Sequence, residues 1–328
     1  MARFGVLMLK VCAVTVTYGQ RAGLVHEMVE GALQSGVDEV FIVDNGSDKE
    51  NADQLFSTFR DKKNIFIKRY DENYGSAGGF NRALKWAREE SSCDFIWVLD
   101  DDNVPEPEAL SALLFLYSYL GKDPKNVLVS YRMIMSSLSN SVEHKQPLLE
   151  SIATGRIVGE RSSLKKRLFG AFLLRSRAKL VERYPVVPRK RASWGGMFIS
   201  KEAFDIVGYP NEDFYLYADD FEFSDRLTKQ GFSIYTASRS VIIDIDAQPG
   251  ASGYFSADQP GFKVYYSLRN HAYLDHRNDL FWGGIFVFSV TILGLLKVGP
   301  RPIYFKRLAL IYRAIKDGVL GNLGKNSF

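Results

Sequence analysis

The chain has 328 residues, 46% of them apolar and 24% charged, which is ordinary globular composition with ample material for the core of one or two domains. A formal net charge of +4 gives no ground for a nucleic-acid partner. The two cysteines, Cys12 and Cys93, lie in apolar runs and read as buried thiols of a reducing compartment, and the four histidines show no zinc-ligand spacing.

Lys10 interrupts the apolar N-terminus, so Val11–Val16, rich in β-branched residues, reads as a first strand rather than as part of a signal peptide. It ends at Thr17-Tyr18-Gly19. Leu24, Val25, Met28, Val29, Ala32 and Leu33 then recur at the helical period, and Gly36 stops that helix after about Ser35. Val40–Val43 is a second strand, ending at Asp44-Asn45-Gly46-Ser47. Ile65–Lys68 is a short third strand. Asn73-x-Gly75-x-x-Gly78-Gly79 follows as a glycine-rich turn into a helix from about Phe80 to Glu90. The turn lacks the Gly-Lys-Ser/Thr of a P-loop and does not follow the first strand as a dinucleotide fingerprint would.

Phe95–Leu99 has the length and residue types of a buried fourth strand and runs into Asp100, Asp101 and Asp102. In open α/β sheets ligands bind at the carboxyl ends of strands. Two carboxylates about 5 Å apart repel by roughly 3 kcal/mol at an effective dielectric of 20, so such a cluster calls for a compensating cation. Carboxylate oxygens suit Mg²⁺ or Mn²⁺, which in turn suits a diphosphate. The competing reading is a solvated acidic turn that starts the next helix, with Pro105, Glu106, Pro107 and Glu108 as its opening. Strand–helix alternation over about 100 residues predicts a parallel, right-handed α/β sheet.

Ala109–Leu120 reads as a helix and Val127–Val129 as a further strand. From about 134 to 191 no period is evident, and this insertion carries a block of twelve basic residues, Arg156 to Arg191, against Glu160 and Glu182. Such a block favours an anionic surface, or else forms a solvated face. Ser193–Ile199 reads as a glycine-kinked strand and Lys201–Val207 as a short helix. Asp219, Asp220 and Glu222 form a second acidic cluster with aromatic flanks, and burial raises a carboxylate's pKa towards that of a general base. The alternative is a capping cluster opening a helix Phe221–Gln230, with Glu222 or Asp225 paired to Arg226. Phe232–Ala237 and Val241–Ile245 are late strands. Phe281–Leu296 runs sixteen residues without a charge, between the lengths of a core helix and a spanning one. Lys297, Arg301, Lys306, Arg307, Arg313 and Lys316, interleaved with Ile303, Tyr304, Leu308, Leu310, Ile311 and Tyr312, fit a helix lying in a membrane interface; a core helix with an oligomer contact is the competing reading.

Taken together and in order, Val16-Thr17-Tyr18, Asp44-Asn45-Gly46-Ser47, Asn73-x-Gly75-x-x-Gly78-Gly79, Leu99-Asp100-Asp101-Asp102, Trp194-Gly195-Gly196 and Asp219-Asp220-x-Glu222-Phe223-x-x-Arg226 resemble a family 2 glycosyltransferase of the GT-A fold. Within the family the pattern is most similar to galactofuranosyltransferases and next to rhamnosyltransferases, which Tyr265-Tyr266-x-x-Arg269-Asn270 resembles. The resemblance implies an α/β GT-A domain with a mostly parallel central sheet over 1–260 and a C-terminal helical, membrane-associating extension over 261–328. It implies a nucleotide-sugar donor held by Thr17, Tyr18, Asp44, Asn73, Gly78, Gly79, Asp100 and Asp101. It implies Mn²⁺ or Mg²⁺ on Asp102, with Asp100; where relatives carry a late histidine, either Asp246 or Asp244 takes its place or the metal has fewer protein ligands. Asp220 would be the catalytic base, and Trp194, Asp219 and Glu222 would meet the acceptor, a glycan or polyprenyl-linked glycan. The implied setting is peripheral, at the cytoplasmic face of the inner membrane, with a homo-oligomer as a further expectation.

Overall fold

The computed structural model describes residues 9–134, 186–246, 259–278 and 302–326. Nearly all of the insertion, most of its basic block, the uncharged run Phe281–Leu296, Lys297 and Arg301 lie outside them. The chain forms two units: Met1–Asn73, Arg82–Tyr209 and Phe223–Ala247 make the first, and Tyr74–Asn81, Pro210–Glu222 and Gln248–Phe328 the second.

Among the described residues the first unit is built on one nine-stranded sheet. Strands β1 (Val11–Thr17), β2 (Glu39–Asn45), β3 (Ile65–Tyr70) and β4 (Phe95–Val98) are all parallel and lie in the order β3-β2-β1-β4. β1 is buried along its whole length, which explains its unbroken apolar and β-branched run. The crossovers are α1 (Ala22–Ser35), α2 (Lys49–Phe59) and α3 (Gly75–Glu90). Gly36 ends α1 in the left-handed conformation at φ 100°, its N–H bonded to the carbonyls of Ala32 and Leu33. α2 packs through Asn51, Ala52, Leu55 and Phe59, the last three at helical spacing.

Beyond β4 the sheet becomes mixed. β5 (Asn103–Pro105) pairs where the competing reading placed an acidic turn, and α4 (Ala109–Tyr119) begins where the sequence predicts. β6 (Asn126–Ile134), β7 (Val186–Arg189), β8 (Met197–Ser200) and β9 (Ser233–Asp244) complete the sheet in the order β4-β8-β6-β9-β5, with β7 also on β9. β8 is antiparallel to both β4 and β6, and Gly195-Gly196 precede it rather than kink it. The two late strands of the sequence reading are one strand, β9. Its partner register jumps from Ser130–Ala237 to Tyr131–Val241, so three residues bulge out and break the apolar run. The core joins Met28, Val40, Leu55, Phe95, Trp97, Leu113, Leu128 and Phe198. α5 (Ala203–Val207) and most of α6 (Asp219–Lys229) complete this unit.

In the second unit, α7 (Gly261–Asn278) packs Val264, Tyr265, Tyr266, Leu268 and Ala272 against Ile311, Ala314 and Ile315 of α8 (Pro302–Leu320). A 3₁₀ turn at Glu212–Phe214 and the opening turns of α3 and α6 belong to it. The glycine-rich turn of the sequence reading is helix: α3 begins at Gly75, and Gly78 and Gly79 are buried within it. Among the described residues no helix is long and apolar enough to cross a membrane.

Candidate active site

Strand register gathers the acidic residues of the first unit. Thr17 at the end of β1 lies beside Asp44 at the end of β2. β4 runs parallel on the other side of β1, and the Leu99 N–H donates to the Val14 carbonyl. The chain therefore leaves β4 at the same sheet edge, and the Thr17 hydroxyl donates to Asp101 at 2.8 Å in a buried bond. β5 pairs antiparallel with β9, opposing Asn103 to Asp244, and the Ile245 N–H donates to the Asp102 carbonyl. Asp244 and Asp246 thus join Asp100, Asp101 and Asp102 at one edge.

Two arginines hold these five carboxylates. Arg21 donates through Nε and Nη2 to the two oxygens of Asp101 at 2.8 and 2.9 Å, through Nη2 to Asp102 at 2.9 Å, and through Nη1 to Asp246 at 2.7 Å. Arg132 donates to Asp100 at 2.9 Å and grips Asp244 with Nε, at 2.8 Å, and Nη2. Burial works against the charge of Arg21, but the Asp101 carboxylate foremost, then Asp246 and Asp102, raises its pKa above normal. The aspartates carry the opposite strain. Burial, against the pull of Arg132 and with the added repulsion of Asp101 and Asp244, raises Asp100. Burial, then Asp100 and Asp244, pushes Asp102 up to about 7.

Neither arginine figures in the sequence-derived site. The compensating cation assigned there to a metal is supplied within the chain by two guanidinia. Arg21 precedes a helix in an exposed-looking turn and Arg132 falls within a strand. The available signal was the acidic excess itself, which demands cations from somewhere.

Asp44 is fully buried. Its Oδ1 accepts from the Ser47 N–H at 2.9 Å, while Oδ2 has no hydrogen-bond partner and lies 3.7 Å from Arg69 Nε. Gly46, at φ 75°, lets the next loop close in; a Cβ there would stand 2.7 Å from the Asn73 nitrogen. Asn45 then donates to the Asn73 side-chain oxygen at 3.3 Å. Tyr18 is exposed, with the Arg21 guanidinium 5.7 Å from its ring centre. Thr17, Tyr18, Asp44, Asn73 and Asp101 are thus neighbours in chain register or contact, as a donor pocket would need.

Trp194 stands differently. It is 4% exposed, with its ring 5.1 Å from that of Phe223, which is a core position. The neighbour Gly195 is the residue the edge depends on: a Cβ there would stand 2.4 Å from Asn103 Oδ1 and 2.7 Å from Asp100 Oδ2.

In the second unit, Asp219, Asp220 and Glu222 form the first turn of α6, where carboxylates meet the positive end of the helix. Asp219 is buried and accepts from the Ser76 hydroxyl at 3.1 Å. Asp220 is partly exposed and accepts from the Phe221 N–H at 2.8 Å. The helix-opening arrangement weighed in the sequence is therefore present; in addition Asp225 meets Arg191 through two bonds of 2.8 Å, and Arg226 donates to the carbonyls of Val207 and Tyr209.

Asp100, Asp102 and Asp246 are hard oxygen donors of the kind Mg²⁺ and Mn²⁺ take. In the structure these carboxylates are held by guanidinia: Asp100 faces Arg132, Asp102 and Asp246 face Arg21, and among the described residues no three carboxylate, imidazole or thiolate groups converge to hold a metal by themselves.

The sequence matches the family model for glycosyl transferase family 2 over residues 12–179. It is 24% identical to the low-salt glycan biosynthesis hexosyltransferase Agl10 of Haloferax volcanii over 290 residues, covering 88% of this chain and 83% of that one. The structure resembles a crystal structure of GalNAc-T7 with UDP, GalNAc and Mn²⁺ at a TM-score of 0.56 and 12% identity, over 96% of this chain and 56% of that one. It also aligns with S. aureus TarS 1-349 at 0.48 and 14% identity, over 93% of this chain and 71% of that one. A mixed α/β domain with the sheet of the GT-A fold, matched by its family model across half its length, makes this chain a member of glycosyltransferase family 2 and a glycosyltransferase.

Proposed function

We propose that the chain transfers a hexose, with galactofuranose favoured, from a nucleotide-sugar donor to a glycan or lipid-linked glycan acceptor, with inversion at the anomeric carbon. The observation that carries this reading is the sheet edge at which Thr17, Asp44 and Asp101 meet. Asp44 Oδ2, buried and without a hydrogen-bond partner, is an acceptor for an N–H or O–H of a nucleoside. Agl10, by its name a hexosyltransferase of glycan biosynthesis, supports a hexose donor and a glycan acceptor.

In this reading Thr17, Tyr18, Asp44 and Asn73 orient the nucleoside, with Gly78 and Gly79 in the same role by resemblance. Asp100 and Asp101, fixed by Arg132 and Arg21, stand beside ribose and diphosphate. Asp220 takes the proton of the acceptor hydroxyl as its oxygen attacks the anomeric carbon and the nucleoside diphosphate leaves from the opposite face. Asp219 and Glu222 support the acceptor. Mn²⁺ or Mg²⁺ would arrive with the donor diphosphate and draw on Asp102, neutralising phosphate charge. The catalytic domain spans 1–260 and the helical extension 261–328. Phe305, Tyr312 and Val319, exposed at heptad spacing on α8 with Lys306 and Lys316, support a peripheral seat on the cytoplasmic face of a membrane. Polysaccharide assembly on a polyprenyl carrier is the matching setting.

Calorimetric binding of UDP- and dTDP-sugars, with and without Mn²⁺, tests the donor. Preference for UDP supports galactofuranose, preference for dTDP supports the rhamnose alternative, and binding of neither overturns both. Asp220→Ala should lower turnover by about 10²–10⁴-fold with donor binding kept. Near-normal turnover in that variant removes the base assignment.

A further inference from the structure

The loop that leads into Asp219-Asp220 holds three non-glycine residues at positive φ: Tyr215 at 58°, Tyr217 at 69° and Ala218 at 62°. A bulky residue there is a rarity, and three within four positions persist only where the surroundings over-determine them. Those surroundings are two consecutive residues of α7. The side-chain nitrogen of Asn270 lies 2.8–2.9 Å from the carbonyls of Phe214, Leu216 and Tyr217. Its side-chain oxygen accepts from Arg269 Nε at 2.8 Å, which fixes which way the amide faces. Arg269 Nη2 donates to the carbonyls of Asp213 and Phe214 at 3.1 and 3.0 Å, and Nη1 to that of Gly324 at 2.6 Å.

Both side chains are fully buried, and the guanidinium lies 4.8 Å from the ring centre of Tyr266. The set is enclosed on two further sides. A Cβ on Gly318 would stand 2.2 Å from the Arg269 carbonyl, and a Cβ on Gly75 would stand 1.9 Å from the Tyr215 carbonyl, which also accepts from the Ala77 N–H. A buried cation spent on backbone carbonyls is a costly way to hold a loop that any capping sequence could close. What this loop carries at its end is the acidic pair.

We propose that Arg269 and Asn270 are positioning residues for the reaction: they hold the positive-φ loop Tyr215–Ala218 so that Asp220 stands where it can take the acceptor's proton. The inference rests on the reading of Asp220 as the base. Neither residue touches the reacting atoms; each acts through the backbone carbonyls of the loop.

The test uses the full chain, the donor identified by the calorimetric panel and an octyl glycoside acceptor. Asn270→Ala should lower kcat about 100-fold while the donor dissociation constant moves less than about twofold. Placed on Asp220→Asn, the same substitution should cost less than about threefold more, because the group it positions is already gone. Arg269→Lys, which keeps the charge and loses the fork, should show the same pattern with a smaller loss, and it decides the matter if Asn270→Ala does not fold. Unchanged kcat in the folded single variants, or a full multiplicative loss on Asp220→Asn, overturns the positioning role while leaving the base assignment intact. Near-normal turnover of Asp220→Asn itself overturns the base reading, and the positioning role with it.

Discussion

The guanidinium of Arg21 forks onto the carboxylate of Asp101, with Nε 2.8 Å from one oxygen and Nη2 2.9 Å from the other. The same side chain reaches Asp102 and Asp246, so one cation closes the edge where β1, β4 and β9 end. A divalent cation that draws on Asp102 or Asp246 must compete with it. Arg21→Ala should therefore bind Mn²⁺ more tightly than the wild type in calorimetry without donor, by about tenfold, which corresponds to about 1.4 kcal/mol. Arg21→Lys should fall between the two, because an ammonium cannot reproduce the fork. Equal Mn²⁺ affinity in all three proteins would show that Arg21 and the metal do not share these carboxylates.

Arg132 and Asp244 form the more buried pair, with side chains 20% and 4% exposed. Removing the cation alone leaves Asp244 and Asp100 facing one another without compensation. Arg132→Met should lower the unfolding free energy by about 3–5 kcal/mol in urea. The double variant Arg132→Met/Asp244→Leu should recover much of that loss, since an apolar pair often replaces a buried ion pair at little cost. A double variant as weak as the sum of the two singles would mean that the site resists apolar packing.

The parts of this edge visible in the sequence were those written locally. Val40–Val43 and Phe95–Leu99 announce strands by their β-branched and aromatic runs, and Asp44 and Asp100–Asp102 mark where they stop. What could not be read locally was what neutralises them. Arg21 meets Asp101 across 80 residues and Asp246 across 225, and Arg132 meets Asp244 across 112. No period or spacing encodes such a pairing. The glycine stretch misled in the other direction. Gly75, Gly78 and Gly79 have low helix propensity and read as a turn, but the Tyr215 carbonyl leaves no room for a Cβ at Gly75, so the helix starts with glycine for a reason set elsewhere in the chain. The bulge that joins the two late strands into β9 was likewise unreadable, because it is set by pairing with β6 rather than by local pattern.

Asp102 connects the charge of this edge to pH. Burial first, then Asp100 and Asp244, places its pKa at about 7 in the folded chain, against about 3.9 for a free aspartate. The folded state therefore holds a proton that the unfolded state releases as pH rises from about 4 to 7, and stability falls over that window. Asp102→Asn removes the titration. Its thermal midpoint should exceed the wild type's at pH 7.5, and the gap should close towards pH 4. Donor binding should move the other way and weaken in the same variant, a loss of function in exchange for stability. A midpoint for Asp102→Asn below the wild type's at both pH values would mean that the Arg21 and Asn103 contacts outweigh the burial.

Gly195 is where the edge is least able to absorb change. An added methyl group would stand 2.4 Å from Asn103 Oδ1, 2.7 Å from Asp100 Oδ2 and 3.1 Å from Arg132 Nη1. Arg132 Nη1 is the donor that holds Asp100 Oδ2, and Arg132 in turn is fixed by the buried Asp244. They have little freedom to retreat. Gly195→Ala should cost about 1–3 kcal/mol of stability through overpacking and should displace Asp100, weakening donor binding in calorimetry. Adding Asn103→Ala removes the nearest obstacle and should restore part of the stability, whereas donor binding should stay impaired because Asp100 remains crowded. Recovery of both together would place the whole effect on Asn103, and recovery of neither would mean that the backbone itself had shifted.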